Sequence, residues 1–245
     1  MKIGICEHCG NNGNLIKAHI IPECFWNAEN NSVGPLAIFS DNQKSRPLRS
    51  NIGVYDENIL CNECEDKFRE FDEHGCKTLL QEKGILTLGE GGAKGISYDK
   101  ADGSKLHKFI TFVAWRASRS QHSYFSRVSI GKYEDLLKRS FNGDNIAQTQ
   151  IDCFISEYDN GKIPQFSPFY ELSDGVGTIV ISAARFVFVA KIYDQIAPVV
   201  LESLAIKTGN TVLSLVIPWQ ESSHMKVAEA VVKANPRPRF WKKNL

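Results

Sequence analysis

The sequence predicts an α+β protein, with a small cysteine-stapled unit at the N-terminus and a larger unit of helices on a mainly antiparallel sheet. Three observations predict this class. Two CxxC pairs bracket a stretch that is rich in Asn, Cys and Gly and has few long apolar runs. Apolar residues recur at helical spacing from Lys105 onward. Several segments rich in Val, Ile and Phe follow further along the chain.

The chain has 245 residues, of which 42% are hydrophobic and 23% are charged, and its net charge is +1. These fractions are typical of packed globular proteins and exclude the disordered, collagen-like and disulfide-scaffold classes. The charge balance excludes a polycation, so a nucleic acid would have to be bound by a local basic patch. No window offers the ~18 consecutive apolar residues of a spanning helix, and the start lacks the apolar core of a signal peptide. We therefore expect a cytoplasmic protein with no membrane partner.

The composition divides the chain into three parts. Residues 1–81 form the cysteine-bearing unit. It has too few apolar runs to bury a large core, so it needs a cross-link such as a bound metal ion. Residues 82–104 are dense in glycine and predict short extended pieces joined by turns, as in a connection between units. Residues 105–245 form the larger α+β unit.

The larger unit begins with an amphipathic helix at 105–121, on which Arg116 and Arg119 share a face and are expected to be solvated. Further helices are predicted at 133–139 and 225–233, and strands at 151–158, 178–182, 185–193 and 211–217. Residues 186–190 are apolar on both faces. This pattern predicts a central strand that is covered on each side by helices.

The seven cysteines include two close pairs, Cys6/Cys9 and Cys61/Cys64, whereas Cys24, Cys76 and Cys153 stand apart. In a reducing compartment this usage favours metal binding over disulfides. Four thiolates suit one tetrahedral zinc ion, and such a closed site supplies folding free energy directly. The alternatives are incidental cysteines or a single redox CxxC. His8, inside the first pair, is expected to be a substitute ligand or to face solvent.

A third motif lies between the two CxxC pairs. It is the run Lys-Ala-His-Ile-Ile-Pro at 17–22, and the second pair is then approached through Asp56, Asn58 and Leu60. This order resembles the HNH endonucleases, whose zinc-bound treble-clef module is called the ββα-metal core. The resemblance covers residues 3–75 and implies the same fold for that stretch.

The resemblance implies that His19 is the general base that takes a proton from water as the water attacks a phosphodiester. It also implies one catalytic divalent ion, Mg or Mn, beside the structural zinc. Asn58 is a candidate catalytic residue that would orient the His19 ring or supply an oxygen ligand, unless it simply shapes the turn. Two positions depart from the family pattern. Ala18 stands where an acidic residue is common, and Glu65 stands where a histidine commonly follows the last zinc ligand.

Glu65 and Asp56 are therefore the candidate ligands of the catalytic ion, since carboxylates bind Mg and Mn. The alternative is that Asp56 is a solvated turn acid and that Glu65 is favourably placed on the helix dipole. A basic loop with Lys44, Arg46 and Arg49 is close in sequence to His19 and is a candidate for binding a phosphate backbone, unless it is simply exposed.

The resemblance predicts a metal-dependent endonuclease that prefers DNA. A partner protein in a bacterial defence or mobile-element system and a homo-oligomer are further possibilities by family analogy. The rival class is a non-catalytic zinc module that binds nucleic acid or a protein partner, which Ala18 and the missing last histidine favour. In a third class the zinc module only scaffolds a complex around the larger unit.

Overall fold

The computed structural model describes residues 2–30, 36–39, 48–50, 53–89, 92–159, 165–197, 204–206, 209 and 211–234. Within these ranges the protein is a mixed α+β structure built on a seven-stranded, mostly antiparallel sheet. The fold class predicted from the sequence is confirmed at this level.

The N-terminal part consists of short strands and two helices. Strands β1 (Lys2–Ile5) and β2 (Asn12–Leu15) form an antiparallel hairpin. Strand β3 (Ala18–His19) precedes helix α1 (Glu23–Asn30) and strands β4 (Leu36–Phe39) and β5 (Leu48–Ser50), which pair with each other. Strand β6 (Tyr55–Asp56) then returns antiparallel to β3 and leads into helix α2 (Asn62–Cys76), which continues as a π-helical turn at Lys77–Gln81.

The rest of the chain supplies the large sheet and its helices. The helices are α3 (Gly103–Arg119), α4 (Glu134–Phe141), α5 (Asn145–Thr149) and α6 (Ser223–Ala234). The strands are β7 (Ile85–Leu88), β8 (Lys94–Tyr98), β9 (Ile151–Tyr158), β10 (Gln165–Phe166), β11 (Phe169–Ser173), β12 (Val176–Ala183), β13 (Phe186–Tyr193) and β14 (Val212–Ile217).

The large sheet has the order β11-β12-β13-β9-β14-β8-β7. Its neighbours are antiparallel except for β14 and β9, which run parallel. The short strand β10 lies outside this sheet and pairs in parallel with β4. The strands predicted from alternating and continuous apolar runs are all present, and each lies within two residues of its predicted bounds.

Strand β13 is covered on both faces, as predicted from its apolar run. On one face Phe188 contacts Phe109 of α3, with ring centroids 5.4 Å apart. On the other face Val187 belongs to a second buried cluster with Trp219 and Met225, at and just before α6. Alternation along a strand sends neighbouring side chains to opposite faces, so one strand can anchor both layers.

The glycine-dense segment 82–104 contributes β7 and β8 to the large sheet. The short extended pieces predicted there are thus present, and both are part of the sheet. One cluster of buried side chains includes Cys6 and Leu15 near the N-terminus as well as Phe186 and Ile192 of β13. The division of the chain into three units stays a prediction.

Cys24 and Cys76, which the sequence leaves apart, are joined by a disulfide with a Cα–Cα distance of 6.1 Å. The expectation of metal binding over disulfides is therefore wrong for this pair. The 52 residues between the two cysteines hide their proximity in the sequence, and it arises because the start of α1 packs beside the end of α2.

Among the described residues, none of the helices combines the length and the apolar character required to cross a membrane.

Candidate metal centre and adjoining charged cluster

The four paired cysteines converge on one point. The sulfur atoms of Cys6, Cys9, Cys61 and Cys64 all lie within 4.8 Å of one another, and those of Cys9 and Cys61 are 3.9 Å apart. Zinc–sulfur bonds of about 2.3 Å at tetrahedral angles would separate two sulfurs by about 3.8 Å. The geometry is therefore that of a site that could hold a zinc ion, as the sequence predicts.

Local backbone structure presents these sulfurs. After β1 the chain turns back on itself, since Gly10 N donates to Cys6 O at 2.8 Å and Gly10 adopts a φ of +75° that favours glycine. Cys61 lies directly before α2, and its N–H donates to the Cys6 sulfur at 3.4 Å. Cys64 follows one turn later. The helix N-terminus thus favours negative charge on this pair of thiols.

Burial and backbone hydrogen bonds together set the acidity of these thiols. Burial raises the pKa of Cys6, but backbone N–H donors around it outweigh this effect and lower the pKa to about 7. Burial raises the pKa of Cys61 to about 11, and it raises that of Cys64 as well. Four thiolates therefore repel one another and are poorly solvated here, and a cation at their centre would remove that cost.

His8 is half-buried, so it is less exposed than the sequence suggests. Its Nδ1 lies 3.2 Å from the Cys64 sulfur, and its ring edge packs on Phe68 with centroids 4.7 Å apart. Asn142 donates from Nδ2 to the other ring nitrogen at 3.1 Å. Burial lowers the pKa of His8, which favours the neutral ring. The tautomer that satisfies all contacts donates from Nδ1 to the Cys64 sulfur.

His19 lies at the end of β3, opposite Tyr55 of β6. The side chain is half-buried, and its ring meets that of Tyr55 edge-on with centroids 6.2 Å apart. Burial raises the pKa of Asp72 in α2, and a favourable charge interaction with His19 is a minor opposing influence. The neighbouring Ala18 is fully buried. No carboxylate can occupy that position without desolvation.

Asp56 and Asn58 build the turn that leads to the second cysteine pair. One Asp56 oxygen accepts hydrogen bonds from N and Nδ2 of Asn58, at 2.9 and 2.8 Å. The other oxygen accepts from Ser120 Oγ and Gln121 N at the end of α3, at 2.9 and 2.8 Å. Both oxygens of Asp56 are thus engaged. The side-chain oxygen of Asn58, Oδ1, accepts a hydrogen bond from the ammonium group of Lys2.

A charged cluster lies next to the four cysteines and consists of Asp72, Arg116 and Glu65, which directly follows Cys64. Glu65 and Asp72 are seven residues apart on α2 and therefore share a helix face. Arg116 reaches this face from α3 and binds Asp72 with both ends of its guanidinium, at 2.8 and 2.7 Å. Its side chain is 0% exposed, so the expectation that it is solvated is wrong. The ring of Phe112 covers the guanidinium, 4.1 Å from the ring centroid to Cζ.

Two buried atoms of the charged cluster have no hydrogen-bond partner within the described part of the chain. They are Oε2 of Glu65 and Nε of Arg116. Burial raises the pKa of Glu65, although the nearby Arg116 charge opposes this effect. Burial also raises the pKa of Asp72, again against the opposing charge of Arg116. An unpaired carboxylate oxygen in a buried setting is costly and is a natural acceptor for a cation or a donor group.

Asp72 and Arg116 were not among the residues predicted as site residues. The seven-residue spacing of Glu65 and Asp72 could have indicated a shared acidic face, had this stretch been recognised as a helix. The arginine partner comes from another helix, so no local sequence pattern points to it. Arg119, the other arginine expected to be solvated, is 33% exposed and pairs with Glu7 and Glu134.

Two of the three residues of the predicted basic loop, Lys44 and Arg46, lie outside the described residues. The backbone of Arg49 lies in β5, opposite Ala37 of β4. Within the described ranges, the four cysteines are the one group of three or more potential metal ligands that come together. In comparisons with protein-family models, curated proteins and solved structures, nothing matches this chain.

Proposed function

We propose that this chain is a metal-dependent endonuclease of the HNH type that hydrolyses phosphodiester bonds and prefers DNA. The observation that carries the proposal is the position of His19. It ends a two-stranded antiparallel pair whose second strand leads into α2, and this helix starts at a cysteine pair and carries the acidic residues of the charged cluster. The order along the chain, a CxxC pair, then the strand pair, then a helix that opens at the second CxxC pair, supports a treble clef with a ββα-metal site.

In this proposal His19 accepts a proton from the water that attacks the phosphodiester. An imidazole suits this role because its ordinary pKa, about 6.5, is near neutral pH. The half-buried ring is held by a short strand rather than by a loop, and it is reachable from the surface. The cysteine site has a structural role, because four thiolates leave zinc no open position for a substrate.

A catalytic Mg or Mn ion fits the charged cluster through Glu65, whose Oε2 is buried and unpaired within the described residues. Mg²⁺ commonly binds through one or two carboxylates while water and substrate phosphate complete its shell. When bound, such an ion would stabilise the charge of the transition state and the leaving oxygen. Asp56 is the weaker candidate ligand, since both of its oxygens already accept hydrogen bonds.

A second candidate function is a non-catalytic zinc module that binds nucleic acid or a protein partner. The observation that favours it is the ion pair of Arg116 and Asp72, in which a protein cation already neutralises one of the two acids on the α2 face. Ala18 favours it as well, since it offers no ligand next to His19. A role in bacterial defence, a partner protein and self-association remain proposals from the resemblance.

Plasmid nicking in the presence of Mg or Mn tests the two functions. We expect the zinc-loaded wild type to convert supercoiled DNA to nicked or linear DNA, and His19→Ala to lose at least 100-fold in rate, since a general base contributes about 10²–10⁴. His122→Ala is the control, because it removes a half-buried histidine outside the charged cluster. Zinc content and melting temperature are measured for each variant.

Two outcomes would contradict the nuclease. In one, His19→Ala cuts as fast as wild type. In the other, the wild type binds DNA but does not cut it with Mg, Mn, Co or Ni. The second outcome favours the binding module.

A further inference from the structure

We infer that the edge strand β7 pairs antiparallel with β7 of a second copy of this chain, so that the two large sheets join across a two-fold axis. This surface lies outside the candidate site, and its pairing does not depend on the proposed function. Strand β7 ends the sheet order, and among the described residues only β8 pairs with it. Its apolar side chains are exposed, with exposed fractions of 57% for Ile85, 60% for Leu86 and 74% for Leu88.

The hairpin of β7 and β8 determines which backbone groups of β7 point outward. Gly89 N donates to Ala93 O at 2.8 Å, and these two residues lie opposite each other in the register of the hairpin. Hydrogen-bonded and non-hydrogen-bonded pairs alternate along an antiparallel ladder, so Thr87 bonds to β8 and its two neighbours do not. The N–H and C=O groups of Leu86 and Leu88 therefore point away from β8, toward the open edge.

The opposite edge of the sheet is covered. At β11 the N–H of Tyr170 donates to Arg127 O at 2.9 Å, and the Arg127 guanidinium lies over the Phe169 ring, with Cζ 5.4 Å from the centroid. Strand β11 also carries the charged residue Glu171. Covering segments and charges are the usual protection of an edge against pairing. Strand β7 contains neither a charged residue nor a proline, so this edge is suited to strand addition.

The sequence of β7 is self-complementary about a two-fold axis that passes beside Thr87. Pairing Leu86 with Leu88 of the second copy satisfies the outward N–H and C=O groups of both residues and places Thr87 opposite its own equivalent. The leucines of both copies then meet on one face. On the other face Ile85 lies opposite Gly89 of the second copy, which has no side chain to obstruct it. A two-fold interface requires this match of a patch with itself, which favours a second copy as the occupant.

The leucine face of β7 continues the buried face of the sheet. Paired positions form a row across five strands, on the face that packs against α3: Leu86, Ile96, Ser214, Ile155 and Phe188. Phe188 contacts α3 and Ile96 packs against the main core, whereas Leu86, at the end of the row, is exposed. Pairing with a second copy would extend this row into the second sheet and remove both leucines from water.

The small size of this contact sets the expected affinity. One short strand from each copy buries less than the about 1,000 Å² that a stable interface needs, so the dimer is a weak and reversible one. We expect a dissociation constant of about 10–100 µM, because backbone pairing and leucine burial must offset the lost freedom of two chains.

Sedimentation velocity of the zinc-loaded full chain, from about 5 to 500 µM, tests the dimer. We expect wild type to shift from monomer to dimer over this range. Leu88→Pro removes an outward N–H that β8 does not use, and Leu86→Lys keeps the backbone but adds a charge to the edge. Each variant should weaken association by about 10-fold or more. The control is Ile146→Lys, which changes an isoleucine of α5 that is 70% exposed and should dimerise like wild type.

Melting temperature and zinc content establish that each variant is folded. A wild type that stays monomeric at the highest concentration overturns the pairing, and the edge is then free for a different polypeptide. The pairing is also overturned if Leu88→Pro and Leu86→Lys both dimerise as tightly as wild type, because the copies then meet through another surface.

A cross-link tests the register. The two-fold axis makes residue 87 a non-hydrogen-bonded pair with itself, with Cα atoms about 4.5 Å apart, a separation that a disulfide can span. Oxidised glutathione accepts the two electrons and two protons of the paired thiols. We expect Thr87→Cys to form a covalent dimer about 10-fold faster than Ile146→Cys or wild type, and adding Leu86→Lys should remove this advantage. Equal rates for Thr87→Cys and Ile146→Cys would refute this pairing of β7 with itself.

Discussion

His8 connects the candidate metal centre to the helices behind it. It contacts the Cys64 sulfur on one side and Asn142, which follows α4, on the other. Lys67 fixes the Asn142 amide by donating to its oxygen at 2.9 Å. Groups that hydrogen-bond to metal ligands commonly contribute 10- to 100-fold in metal affinity.

We expect His8→Phe to keep the packing against Phe68 while it weakens zinc binding by about 10- to 100-fold, because the sulfur loses its donor. Competition with a chromogenic chelator measures the affinity. Asn142→Ala should have a smaller effect in the same direction, since it frees the ring without removing it. Unchanged zinc affinity in His8→Phe would mean that the 3.2 Å contact contributes nothing to the site.

Glu65→Gln separates catalysis from binding. The amide keeps the size of the side chain but removes the anionic donor, so we expect a large loss of cleavage that higher Mn partly restores. Zinc content and affinity for uncut DNA in calcium should change little, since cations supply backbone binding. The control is Glu63→Gln, which changes an exposed acid two residues away. If the two variants cleave DNA at the same rate, Glu65 has no catalytic role and is only an acidic residue at the start of the helix.

The residues of the candidate site were predictable to different degrees. The four cysteines and His19 lie in local motifs, which a sequence displays directly. Asp72 and Arg116 were not predicted, because their contact joins two helices 44 residues apart. The role of Asp56 was also not evident from sequence, since the hydrogen bonds that engage its carboxylate come partly from the end of α3.

At the scale of elements, α6 docks on the large sheet through a half-buried histidine. His224 accepts a hydrogen bond from Tyr158 Oη at 2.5 Å and stacks on Phe166, with ring centroids 4.4 Å apart. Burial lowers the pKa of His224 from 6.5 to about 4. The folded protein therefore holds the neutral ring at pH values where the unfolded chain is already protonated.

This difference predicts an acid-sensitive helix. The stabilisation is present above pH 6.5 and is lost as the pH falls toward about 4. At pH 5 the loss from this one group amounts to about 2 kcal/mol relative to pH 7. Urea unfolding at the two pH values should therefore show a larger drop for wild type than for His224→Gln. Zinc release by acid affects both proteins alike, so the prediction fails if their drops are equal.

At the scale of the molecule, the cysteine cluster brings together two segments of the N-terminal part that are more than 50 residues apart in sequence. We expect one zinc per chain, because four sulfurs converge in the described residues and the site is closed. Cys61→Ser should lose the metal and melt at a lower temperature, since metal binding contributes to folding. Cys153→Ser is the control, as it changes a buried cysteine outside the cluster. Elemental analysis that finds no metal in folded protein would refute the zinc site.

The fold was predictable where a strand or helix carries its own periodic pattern. The strands β9, β12, β13 and β14 and the helices α3, α4 and α6 all have such patterns. Sheet order was not predictable, because it depends on contacts between distant segments. The clearest case is β7 and β8, whose glycines predict a connection but whose backbones complete the sheet edge.

Strand β14 has a consequence for the timing of synthesis. It lies between β9 and β8, so β7 and β8 reach the rest of the sheet only through a strand made more than 100 residues after them. At 5–20 residues per second, a ribosome needs roughly 6–20 s to bridge that interval. During this delay the apolar Ile85, Leu86 and Leu88, which are exposed even in the finished protein, stand on an unpaired hairpin. The nascent chain is therefore most exposed to pairing with a neighbouring polypeptide just before its last strand emerges.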